Sequence, residues 1–206
     1  MRRAALVFAG MVAITPPAGA DPAMPRWFPV PASATYQTGD SWIDGGVTHR
    51  LYGVQSCLRG TSFTNAYGAK RDCGEASLAM LVALVRDLRP QCHEAARLGD
   101  AKTLFVFCVA QPTRGAGAGS RIDLGTALIA SGFAFAALGP DGKPVHAPYL
   151  AAQQVAERSR AGLWAFADLP NPTGVIQRAL QADASAAPSS PARPDPTARE
   201  TRRTHP

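Results

Sequence analysis

Cys57, Cys73, Cys92 and Cys108 are the residues of this chain whose type and spacing most directly suggest chemistry. Their separations are 16, 19 and 16 residues, without a Cys-x-x-Cys pair, which argues against a zinc site. An even count suggests two disulfides if the chain reaches an oxidising compartment, and sequence alone leaves three pairings open. Cys57–Cys73 and Cys92–Cys108 are preferred because each closes a local loop. Each bond would contribute roughly 3 kcal/mol in the chain-entropy account.

Arg50 is the second feature. It lies in Val47 to Val54 (VTHRLYGV), which reads as a strand with Val47, His49, Leu51 and Gly53 on one face. Arg50 falls on the other face, and His49 is read as structural or exposed. A buried arginine there needs an anionic partner, structural or ligand; the alternative is a guanidinium reaching solvent. The Gly/Ala-rich stretch Thr113 to Ser120 lacks the Gly-Lys-Ser/Thr ending of a phosphate loop, and is read as a flexible insertion. Trp164 is read as a core anchor.

The elements that must position these residues occupy only part of the chain. Arg2 and Arg3 precede an apolar run, Ala4 to Ile14, and Ala18-Gly19-Ala20 offers a small-x-small cleavage pattern. Residues 1–20 are therefore expected to be a signal peptide, with a periplasmic or secreted product and no membrane span. Residues 21–35 form a Pro-rich lead. The folded domain is expected over 36–180. Residues 181–206 carry no aliphatic side chain larger than alanine apart from proline, and are expected to be a disordered tail. Of the formal charge of +6, two units belong to the leader and one to the tail. The remaining surplus is mild, far from that of a dedicated nucleic-acid binder.

Within the domain, Ser41 to Asp44 and Val47 to Val54 read as strands joined at Gly45-Gly46. Leu58 to Asp72 reads as a loop. Gly74 to Leu88 reads as a helix, with Leu78, Leu81, Val82, Val85 and Leu88 recurring at three- and four-residue spacing. Thr103 to Val109 reads as an apolar strand. Leu124 to Ala130 is a helix capped by Asp123, and Phe133 to Leu138 is a strand. A last helix, Pro148 to Gly162, would bury Leu150, Val155 and Ala161. The order fits a small β-barrel packed by helices, and does not exclude a doubly wound sheet.

Several stretches go further. They are TGDSW at 38–42, HRLYGV at 49–54, the helix after Cys73-Gly74, TLFVFCV at 103–109, DLGTALIASGFAFAA at 123–137, and Tyr149 with VAERSRAGLWAF at 155–166. Together they span most of Thr38 to Phe166, and the chain over that span resembles the staphylococcal-nuclease-like (thermonuclease) family. The cysteine placement resembles exported bacterial members. The resemblance implies an α+β fold, mainly β-barrel: a five-stranded OB-fold-type barrel with three helices.

Active members of that family cleave phosphodiesters with calcium. Two carboxylates hold the hard cation, a glutamate assists the attacking water, and two arginines stabilise the phosphate. On the resemblance, Asp40 matches the first metal aspartate and Arg50 the arginine of the return strand. The family pattern Arg-Leu-x-Gly-Ile-Asp-Ala-Pro-Glu then fails. Gln55 stands for the second metal aspartate, Leu58 for the glutamate and Lys102 for the second arginine. Glutamine brings no charge to calcium, lysine lacks the bidentate fork, and leucine neither accepts a proton nor orders a water. After Gln55 the first acids are Asp72 and Glu75; Asp44 lies one hairpin away, but nothing in the sequence argues for it as a substitute.

Two functions follow. One is a catalytically impaired exported relative that binds nucleic acid, polysaccharide or a protein partner, or serves as an accessory factor. Exported family members associated by name with exopolysaccharide (succinoglycan) biosynthesis extend that class. The alternative is a calcium-dependent nuclease with residual activity on DNA or RNA. The missing base favours the first.

Overall fold

Asp72 sets the frame of the domain, because its backbone is extended where the chain must turn into a helix. Its carboxylate accepts hydrogen bonds from the Glu75 N–H at 2.9 Å and the Gly60 N–H at 2.7 Å, capping the helix and closing the loop before it. The computed structural model describes residues 25–99, 102–112, 118–176 and 178. The expected signal peptide and tail, and residues 113–117 of the Gly/Ala-rich stretch, lie outside the described residues.

The strands in chain order are β1 (Phe28–Pro29), β2 (Thr35–Thr38), β3 (Ser41–Asp44), β4 (Val47–Leu51), β5 (Val54–Ser56), β6 (Ser62–Thr64) and β7 (Lys70–Asp72). Helix α1 (Cys73–Leu88) follows, then β8 (Gln91–Arg97), β9 (Thr103–Ala110), β10 (Ile122–Asp123), α2 (Leu124–Ala130), β11 (Ala134–Ala136), α3 (Ala147–Ser159) and a 3₁₀ turn (Gly162–Ala165). The main sheet runs β1-β8-β9-β4-β3-β2, with β10 added beside β9. It is antiparallel except at β4–β9, which run parallel. The result is a mixed α+β fold whose sheet curls as a half-barrel.

Period-two burial along β9 shows how the sheet divides. Leu104, Val106, Cys108 and Ala110 are buried, while the residues between them are half-buried on the other face. The inner face packs with Trp42, Leu51, Leu81, Leu124, Leu128, Ile129 and Tyr149. Gly45 and Gly46, at φ 54° and 78°, make the β3–β4 hairpin in a conformation that strongly favours glycine. At Gly132, φ is 80° and an added Cβ would sit 2.0 Å from the Ala161 carbonyl oxygen. That contact lets the chain after α2 meet the 3₁₀ turn, whose Leu163 N–H donates to the Gly132 carbonyl.

The expected elements differ from the observed ones in specific places. The strand expected through Val54 stops at Leu51, turns at Tyr52-Gly53 and resumes as β5, which leaves the main sheet to pair with β11. The stretch expected to be a loop, Leu58 to Asp72, contains the β6–β7 hairpin. The expected lead contributes β1, and Thr35 opens β2, so the sheet starts before residue 36. Val82 and Val155 are not core residues; they are 37% and 54% exposed. The buried stripe of α3 is Tyr149, Gln153 and Ala156 instead. The buried Gln153 is satisfied: its Oε1 accepts from the Ala136 N–H at 2.8 Å, and its Nε2 donates to Glu157 at 2.8 Å.

Both preferred disulfides are present, and no described cysteine is free. Cys57–Cys73 ties the end of β5 to the start of α1. Cys92–Cys108 staples register partners of β8 and β9.

Candidate functional site

Three residues separated in sequence meet where β2, β3 and β4 converge. Ser41 and Arg50 are register partners, so the β3–β4 pairing brings Arg50 beside the β2–β3 corner that carries Asp40. The Leu51 N–H donates to the Asp40 carbonyl at 2.9 Å, which fixes that corner. Arg50 Nε donates to Asp40 Oδ2 at 3.0 Å, and Arg50 Nη2 donates to Gln55 Oε1 at 3.2 Å. The Gln55 Nε2 is used in turn, donating to the Ser56 carbonyl at 2.9 Å. Gln55 is within reach because the chain turns back at Tyr52-Gly53 immediately after β4.

The Asp40 side chain is 2% exposed, whereas that of Arg50 is 39% exposed. Asp40 is thus a buried anion neutralised by one half-exposed guanidinium. Its other oxygen, Oδ1, accepts from the Thr38 hydroxyl, which also contacts the Ser41 hydroxyl. Thr38 and Ser41 belong to the site, though neither matches a catalytic position of the family pattern. The available signal is short hydroxyl side chains flanking an aspartate at a strand corner, where such groups satisfy one another locally.

The remaining expected residues lie around this cluster. Lys102 is exposed at the foot of β9, and its carbonyl accepts from the Thr48 N–H at 2.8 Å. The register partner of Arg50 on β9 is Phe105, three residues further along. Leu58 is half-buried in the turn after Cys57, with its carbonyl bonded to Thr61. Asp44 is at the far end of β3, paired with Val47, so three residues of strand, about 10 Å, separate it from Ser41. It accepts from Ser33 instead. Asp72 and Glu75, the first acids after Gln55, are at the α1 N-terminus, where Asp72 is the cap. Among the described residues, Asp40 is the one carboxylate paired with Arg50. His49 is structural: its ring stacks on Trp42 at 5.6 Å and 4°, with Phe28 edge-on at 5.6 Å.

A calcium ion fits these residues poorly. Hard divalent cations take six to eight oxygen ligands, with carboxylates foremost. Both Asp40 oxygens already accept hydrogen bonds, as does the Gln55 carbonyl, and the Arg50 guanidinium bridges the two residues. No group of three or more His, Cys, Asp or Glu side chains suited to a metal occurs among the described residues. What the arrangement offers is a preorganised, half-exposed guanidinium on a rigid sheet, suited to contacting an anion.

No protein-family model matches the chain, and no curated protein is similar enough to it to count as a match.

Proposed function

We propose that this chain is an exported, catalytically impaired relative of the staphylococcal-nuclease-like family, built on an OB-type barrel, that acts by binding or as an accessory factor. Its ligand on this reading is an anionic polymer, nucleic acid or polysaccharide. The observation that carries the proposal is the pairing of Asp40 with Arg50 and Thr38, which occupies the carboxylate an active relative would offer to calcium. Gln55 completes the pairing where a second acid would stand, and Leu58 supplies no base. A hydrolytic site needs an acceptor for the proton of the attacking water. Two disulfides support export, and no helix among the described residues is long and apolar enough to cross a membrane.

The test is a titration of the exported protein with single-stranded DNA and with acidic and neutral polysaccharides, in chelator and then in calcium. Binding to the DNA or to an acidic polysaccharide in chelator, with the polymer intact afterwards and the neutral polysaccharide unbound, is the expected result. Binding that appears only with calcium, and shortens the polymer, would contradict the proposal.

A further inference from the structure

A second site lies at the other end of β9 from Arg50. Val109 to Pro112 border a cavity of about 640 Å³, a size that suits a ligand of one or two rings. Its polar walls are Arg89, Gln91, Gln111 and Arg121, and Trp27 forms an apolar wall. Measured along the strand from Phe105, four residues and so about 13 Å separate the Arg50 row from the nearest part of this cavity.

Charge in the cavity is lopsided. Asp87 also lines it, but Arg86 Nε holds that carboxylate at 2.9 Å. Neither Arg89 nor Arg121 makes an ion pair among the described residues, so two guanidinium groups are uncompensated there. Arg89 also adopts φ 49°, one of two non-glycine residues with positive φ among those described, and caps the C-terminus of α1 in that conformation. Trp27 is 41% exposed, its ring edge-on to His93 at 4.6 Å. Gln111 donates weakly to the Gly119 carbonyl at 3.5 Å.

We propose that this cavity binds an acidic saccharide, with a ring carboxylate on Arg89 and Arg121 and the sugar's C–H face on Trp27. A guanidinium matches a carboxylate in a bidentate fork. Primary amides both donate and accept, so Gln91 and Gln111 suit a rim of hydroxyls. An indole surface covers the apolar face of a ring. The inference deepens the binding reading above and rests on it for the choice of a polymer-derived ligand.

Trp42 is fully buried and Trp164 partly so, which leaves Trp27 as the exposed fluorophore of the three. The experiment titrates the full exported protein with galacturonate hexamer, following tryptophan fluorescence and calorimetry, with maltohexaose and a thymidine hexanucleotide as controls. The acidic hexamer is expected to bind and to shift the emission, and maltohexaose is expected to be silent. Arg89→Ala with Arg121→Ala should weaken binding about tenfold or more, since each removes a charge-assisted contact. Trp27→Phe should lose the fluorescence change while calorimetric binding persists. Equal binding of maltohexaose, tighter binding of the hexanucleotide, no binding at millimolar saccharide, or unchanged affinity in a folded double-arginine variant would each overturn the proposal. Whether the unaltered protein shortens DNA in calcium is read separately, so failure of the saccharide binding is distinguishable from failure of the Asp40–Arg50 reading.

Discussion

Arg50 Nε lies 3.0 Å from Asp40 Oδ2, and the two ends of this ion pair live in different solvents: the carboxylate is buried and the guanidinium half-exposed. Removing one partner is therefore not equivalent to removing the other. Arg50→Ala leaves a buried unpaired anion, and should destabilise the domain by about 3 kcal/mol. Asp40→Asn leaves a guanidinium that water can reach, and should cost clearly less. Urea denaturation of the two variants checks the order; a larger loss in Asp40→Asn would show that the buried charge is not the critical member.

The α1 cap is a second measurable element. Backbone N–H groups, chiefly that of Glu75, hold the Asp72 carboxyl below the ordinary carboxylate range. A depressed carboxylate pKa gives stability that is complete above the unfolded value, about 3.9, and is lost as pH falls through the folded value. Asp72→Ala should cost about 1 kcal/mol at neutral pH. The gap between the two melting curves should narrow as pH falls below the unfolded value, about 3.9; a gap that stays constant as the carboxyl protonates would mean the charge is not what caps the helix.

His49 is favoured in its neutral rather than its charged form, but the slope with pH is the same. Burial beside Trp42 and Phe28 lowers its pKa from the ordinary value, so the folded state disfavours the imidazolium. Its contribution is complete above about pH 6.5, the unfolded value, and declines as pH falls toward the lowered folded pKa. Replacing the ring by Phe should flatten the stability profile in that window. An NMR titration of His49 with a midpoint at or above 6.5 would contradict this.

Both disulfides are expected to be structural. Cys57→Ser with Cys73→Ser should cost roughly 3 kcal/mol on the chain-entropy account, because the bond fixes the end of β5 to α1. Mass spectrometry of non-reduced protein should find no alkylatable thiol and should place Cys57 with Cys73 and Cys92 with Cys108. Peptides linking any other pair would overturn this arrangement.

The ease of reading the sequence varied with how each element is stabilised. Helix α2 and strand β9 were legible because their apolar periodicity is unbroken and Asp123 marks the helix start. Strand β8, QCHEAAR, carries little pattern: Cys92 is its one buried residue, and the strand exists because it pairs with β9. The β6–β7 hairpin is similarly short and polar, and the Asp72 carboxylate closes the loop before it. For α3, helical spacing pointed to Val155, whereas Gln153 lies inside because its amide meets Ala136 and Glu157. At the site, Asp40, Arg50 and Gln55 were nameable as single positions. Their mutual hydrogen bonds, and the part played by Thr38, needed the turn at Tyr52-Gly53 to be known in space.

The central proposal is that the Asp40–Arg50 pair stands where an active relative would hold a metal, so that the chain binds without cutting. The most direct test incubates the purified protein with DNA and with RNA, in calcium and in chelator, beside Asp40→Ala. No cleavage above the protein-free blank, identical in the variant, is the predicted result. Calcium-dependent cleavage that disappears in Asp40→Ala would contradict the account.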